Sequence, residues 1–242
     1  MTLTAAEIRS RLGTHARPAD AAILERFFKT GPGQYGEGDI FIGVRVPALR
    51  ALCAECRGAG MPVIRTLLRG KIHEERALAL LLLVDAFERA EPAGRKAIYD
   101  LYLASTASIN NWDLVDASAA AIVGGYLADR SRAPLARLAK SRSLWERRIA
   151  IVATHHFIRR GELTETFRIA GILLGDEHDL IHKAVGWMLR EAGKRDGAAL
   201  RHFLDDRAAR MPRTMLRYAL ERFPEAERQR YLRGRVPART RS

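Results

Sequence analysis

The sequence predicts an all-α protein, a solenoid of antiparallel helix pairs, and three observations carry that prediction. Apolar spacings of three and four recur along nearly the whole chain, while alternation of period two is almost absent. Prolines and glycines punctuate the pattern where helices begin and end. Long helical segments also resemble one another at a period of roughly 35 residues.

Taken in order, the periodicity predicts helices at 4–13, 19–29, 47–57, 61–69, 73–90, 92–105, 111–129, 133–140, 144–160, 163–174, 178–194, 197–208, 212–222 and 225–233. Pro47, Pro62, Pro92, Pro134, Pro212 and Pro224 stand at helix starts, where a missing N–H costs nothing. Gly58, Gly70, Gly161 and Gly175 stand at ends. The short connections favour antiparallel neighbours. Residues 1–233 are expected to form one solenoid domain, followed by a basic, disordered tail at 234–242 that adds nonspecific affinity for polyanions.

The repeats show in HEERALALLLLVDAF from His73, WERRIAIVATHHFI from Trp145 and LIHKAVGWMLREAGK from Leu180, with WDLVDASAAAIV from Trp112 in the interval between the first two. Each of the three has a basic residue before an apolar run: Arg76, Arg148 and Lys183. Helix pairs at this period have the form of a HEAT-like solenoid, which presents one helix per repeat along a concave groove. If corresponding helices line the groove, their cations form a stripe suited to a phosphate backbone.

Charge points the same way. Lys and Arg number 41 against 28 Asp and Glu, a formal charge of +13 spread from Arg9 to Arg241, and such a body attracts nucleic acid. The longest apolar run, Ala77–Val84, is too short to span a bilayer, and Met1–Thr14 lacks the apolar core of a signal peptide. The expected setting is therefore cytoplasmic and nucleoid-associated, without membrane contact, and the expected state is a monomer. Cys53 and Cys56 form a lone CxxC that cannot complete a four-ligand zinc site, so both read as reduced packing residues.

One segment breaks the pattern. TGPGQYGEGDIFIGVRV, from Thr30 to Val46, is glycine-rich and carries Tyr35, Phe41 and Arg45. Its GxGxxG (Gly31, Gly33, Gly36) lacks the preceding strand and immediate helix that a dinucleotide site requires. A loop reaching toward a ligand and a simple connector both remain open for it.

Chemistry is sparse. No GxSxG, HExxH or P-loop occurs, and His155 and His156 sit on adjacent helix faces, so no metal or organic cofactor is expected. The three tryptophans, Trp112, Trp145 and Trp187, each lie in a long repeat helix beside a charged group on the same face: Asp116, Arg148 and Lys183. Asp116 lies in an apolar stretch. In a basic groove it would repel phosphate, so it serves either an ion pair or the stabilisation of a cationic sugar as an N-glycosidic bond breaks. Asp113 points about 100° away and favours the helix N-terminus through its dipole.

NNWDLVD (Asn110–Asp116), LWERRIAI (Leu144–Ile151) and IHKAVGWMLREAGK (Ile181–Lys194) resemble, in order and spacing, the three signature segments of the AlkD-type DNA alkylation repair glycosylases. The resemblance runs from about Leu24 to Phe223. It implies excision of positively charged N-alkylated purines, chiefly 3-methyladenine and 7-methylguanine, from duplex DNA without base flipping. It also implies that Trp112, Asp116 and Trp187 form the catalytic cleft and that Arg148 contacts phosphate. Lys183, Arg76, Arg45, Arg190 and Lys194 complete the expected DNA-binding set. Phe27 and Arg45 depart from the tyrosine and glutamine of the family's characterised type, and the glycine-rich segment is longer. The rival readings are a noncatalytic solenoid that recognises damaged or branched DNA, and a protein-binding scaffold for an acidic partner.

Overall fold

Helix forms at every position expected from the sequence, two of the expected helices being interrupted, in the computed structural model of the protein, which describes residues 3–234. The basic tail expected at 234–242 lies, beyond Gly234, outside the described residues. Contacts divide the chain into two compact units, Met1–Ile122 and Val123–Ser242. Among the described residues no strand forms, and a single isolated bridge pairs Ile40 with Ile72.

The first unit comprises α1 (Ala5–Thr14), α2 (Pro18–Phe27), α3 (Val46–Glu55), α4 (Met61–Leu68), α5 (His73–Arg89), α6 (Pro92–Ala104) and α7 (Trp112–Ala119). Thr4 and Glu7 close a reciprocal capping box at the start of α1. α5 is the central helix, packed against α3, α4, α6 and α7. Its all-round apolar run follows from that position, since Leu78, Ala79, Leu80, Leu82, Leu83 and Phe87 are all buried. Cys56 is buried and Cys53 half-buried; burial raises both thiol pKa values, which keeps them in the unreactive thiol form.

The glycine-rich segment is a packed structure on the start of α5. The Ile42, Gly43 and Val44 N–H groups all donate to the buried Glu74 carboxylate, with Gly43 N 2.8 Å from Oε1. His73 N donates to the Ile40 carbonyl at 2.8 Å. Two glycines make this fit possible. A Cβ at Gly36 would lie 2.4 Å from the Phe28 carbonyl oxygen. Gly43 has φ +85°, and a Cβ there would lie 2.0 Å from the Arg17 carbonyl oxygen. Gly43→Ala therefore meets both backbone strain and a clash, and is expected to cost more than about 2 kcal/mol in chemical denaturation.

The second unit comprises α8 (Gly125–Leu127), α9 (Ala133–Ala139), α10 (Leu144–Ala153), α11 (His155–Arg159), α12 (Thr164–Ile172), α13 (Asp179–Arg195), α14 (Gly197–Arg207), α15 (Arg213–Ala219) and α16 (Glu225–Leu232). Its centre is α13, packed against α10, α11, α12, α14 and α15. Ile181, Ala184, Val185, Met188, Leu189 and Ala192 are buried at spacings of three and four.

Two expected helices are interrupted. The stretch 111–129 widens into a π-helical turn at Ala120–Gly124, next to the glycine pair Gly124–Gly125. The stretch 144–160 divides at Thr154, whose hydroxyl donates to the Ile151 carbonyl at 2.7 Å and competes with the helical ladder.

Candidate active site

α7 begins where the sequence supplies both a cap and an acid. The buried Asn111 side chain accepts from Trp112 N at 2.8 Å, and Asp113 occupies the first turn, where the helix dipole favours it. Trp112 and Asp116 follow one turn apart on the same side of α7, and both are half-buried. Behind them the buried Tyr102 hydroxyl and the Ser118 hydroxyl lie 2.9 Å apart. Burial, together with the Asp116 charge, pushes the Tyr102 phenol up and keeps it protonated.

Trp112 belongs to an aromatic stack that fixes its ring. Phe28 lies against it with centroids 5.1 Å apart and planes within 23°, and Phe27 meets it edge-on at 5.8 Å. Phe28 in turn stacks on Phe41 at 5.0 Å, and Phe41 on the His73 ring at 4.3 Å. Such contacts contribute about 0.5–1.5 kcal/mol each beyond area burial. A cleft of about 450 Å³ opens beside the stack, walled by Ile23, Phe27, Val44 and Val46 together with Trp112 and Asp113. Phe27, the departure from the family's tyrosine, is 60% exposed on its rim.

A buried charge network lies behind α7. His73 Nδ1 is 2.9 Å from Asp39 Oδ2, and His73 Nε2 is 2.8 Å from Asp113 Oδ2. Burial works against a charged imidazole, but the hydrogen bonds to Asp113 and Asp39 outweigh it and raise the His73 pKa to about 9. Burial likewise opposes ionisation of Asp39, yet the His73 hydrogen bond and the Arg76 charge hold its pKa below the ordinary value. Arg76 pairs with Asp39 and donates Nη1 to the Gly70 and Lys71 carbonyls.

Arg76, expected in the DNA-binding set, is only 5% exposed; it pairs with Asp39 of the glycine-rich loop and donates to the Gly70 and Lys71 carbonyls, bracing the start of α5. Arg148 is also 5% exposed, and its Nη1 donates to the Leu180 carbonyl at 2.6 Å, tying α10 to the first turn of α13. The cations with accessible heads are different. In the first unit Arg45 is exposed and paired with Asp20 at 2.6 Å.

In the second unit Lys183 pairs with Asp179 at 2.7 Å, and Lys194 with Glu191 at 2.8 Å. Arg190 bridges Glu191 and Glu221. Trp187 is half-buried, one turn beyond Lys183 on α13, with the His155 ring 5.9 Å away. Burial and the Arg159 charge lower the His155 pKa. Within the first unit, then, Trp112 and Asp116 come together. Lys183, Trp187, Arg190 and Lys194 share α13 in the second.

Phe28, Asp39, His73 and Asn111 escaped sequence reading. A signal was present in the HEER segment from His73, four polar residues that are all buried at the start of the central helix. Among the described residues, no cluster of three or more His, Cys, Asp or Glu is placed to hold a metal ion, and no helix is long and apolar enough to cross a membrane.

A solved structure described as a predicted DNA alkylation repair enzyme from Enterococcus faecalis is similar to this chain at a TM-score of 0.67 and 16% identity. The similarity covers 87% of this chain and 98% of that one, and it shows a shared fold. No curated protein gives a significant match. The family model for DNA alkylation repair enzymes matches residues 8–223, and the chain belongs to that family.

Proposed function

We propose that the protein is a monofunctional DNA glycosylase that excises positively charged N-alkylated purines, 3-methyladenine and 7-methylguanine, from duplex DNA in base excision repair. The observation that carries this reading is the pairing of Trp112 with Asp116 on one face of α7, with the tryptophan ring held by Phe28. An N-alkylated purine already carries positive charge. When the C1′–N bond breaks, the base takes the bonding pair and leaves neutral, and the sugar becomes oxocarbenium-like. Water adds at C1′ and loses its proton, leaving an abasic site.

The enzyme's task is to stabilise positive charge on the departing nucleotide. The Asp116 carboxylate does this by Coulomb attraction and orients the water. The face of Trp112 does it by cation–π attraction. The lesion stays in the duplex and is not flipped out. Arg45, Lys183, Arg190 and Lys194 exchange their acidic partners for backbone phosphates, with Arg148 acting from behind as the support of α13. The partner is double-stranded DNA, bound by one protein molecule.

Incubation with a randomly methylated duplex tests the reading. Free methylpurines and alkali-labile abasic sites should accumulate together. Salt-sensitive binding with no base released would favour a noncatalytic binder of damaged DNA.

A further inference from the structure

The Asp39–Phe41 stretch of the glycine-rich loop and the buried histidine have no part in the chemistry above, yet the structure joins them to it. His73, on the first residue of α5, touches Asp39 of the loop through one ring nitrogen and Asp113 of α7 through the other. Asp113 is the residue after Trp112 and stands three before Asp116. Asn111, the cap of α7, also reaches Asp39, with Nδ2 3.4 Å from Oδ2. Phe41 of the same loop stacks on the His73 ring and on Phe28, which carries Trp112. Loop, central helix and active-site helix thus meet in one buried side chain.

We propose that His73 is a positioning residue: as an imidazolium held between Asp39 and Asp113, it sets the first turn of α7 and with it the orientation of Trp112 and Asp116. The proposal rests on the glycosylase reading for its effect on catalysis, and on geometry alone for its effect on Trp112. Two carboxylates can both be satisfied only by a ring that donates from both nitrogens, which requires the charged form. A neutral ring has one donor, so one carboxylate faces a lone pair and that contact opens.

The other charged groups around the ring are accounted for. Arg76 of α5 neutralises Asp39 from its far side. Glu74 of α5 is occupied by the loop N–H groups. Asp20 of α2 is paired with Arg45 across the cleft. The sign is definite. The folded-state pKa of about 9 lies above the ordinary value of 6.5, so the contribution is complete below about pH 6.5 and is lost as pH rises through about 9.

The experiment follows the Trp112 indole N–H resonance of the full chain from pH 7 to 10, identified by its loss in Trp112→Phe, beside single-turnover release of 7-methylguanine. In the wild type the resonance should titrate with a midpoint near 9. The rate should fall with it, approaching tenfold per pH unit above the midpoint. His73→Gln should give a resonance and a reduced rate that no longer vary over this range, with duplex affinity retained. Asp113→Asn, at a more exposed position, should do the same should His73→Gln fold poorly. A fold-stabilising histidine without this role would lower the melting temperature and leave the pH profile in place. A wild-type resonance that stays fixed to pH 10, or a variant with the wild-type profile, overturns the proposal. Absence of base release by wild type at every pH would sink the glycosylase reading instead, and the resonance titration would then decide the positioning claim by itself.

Discussion

Asp116→Asn is expected to lower the single-turnover rate of 7-methylguanine release by about 10²–10³-fold while leaving duplex affinity within a few-fold of wild type. Asn has the shape of Asp, so Trp112, Ser118 and the packing of α7 on α5 are undisturbed. On the proposed mechanism, what goes is one negative charge that acts on a sugar positive only in the transition state. At about 4 Å and an effective dielectric of about 20, that attraction is worth about 4 kcal/mol, close to three powers of ten in rate. Part of it survives through Trp112. The ground state gains little from Asp116, since a carboxylate repels phosphate, so affinity should hold or rise slightly. A rate within threefold of wild type would remove Asp116 from the mechanism.

Glu74→Ala should be the most damaging single change to the fold. The carboxylate is 2% exposed and accepts from three consecutive loop N–H groups, those of Ile42, Gly43 and Val44. Truncation leaves those donors buried without acceptors, at about 1–3 kcal/mol for each, and relaxation of the loop reduces the sum to about 3–5 kcal/mol. The melting temperature should fall by about 10–15 °C. Glu74→Gln keeps one acceptor oxygen and should cost about half as much. A Glu74→Ala protein that melts within 2 °C of wild type would mean that the loop is anchored elsewhere. The loss also reaches the site, because Asp39, on the same loop, holds His73 and Arg76.

The helices were legible because their signal is local. Apolar spacing sets the buried face, and proline and glycine set the ends. α5 and α13, picked out by repeat similarity, are the central helices of the two units. The Trp112–Asp116 pair was legible for the same reason, since four residues within a helix is one turn. The side-chain contacts that were not legible involve partners distant in sequence. Arg76 reads as a groove cation because the repeat aligns it with Arg148 and Lys183; its carboxylate partner, Asp39, lies 37 residues away. His73 bridges separations of 34 and 40 residues, which periodicity does not register. The glycine-rich loop was ambiguous because glycine reports a close backbone approach without saying what approaches. Here Gly36 and Gly43 admit the backbones of Phe28 and Arg17. The breaks at Ala120–Gly124 and Thr154 were missed because the apolar pattern runs on through them.

The central claim is that this member of the DNA alkylation repair family breaks a glycosidic bond. The most direct measurement is chromatography of free base from a duplex carrying one 7-methylguanine, with excess wild-type protein and a parallel binding assay. Stoichiometric release of 7-methylguanine is expected, with an abasic site at the lesion and no base released from the unmodified duplex. A duplex that is fully bound and stays intact would contradict the claim.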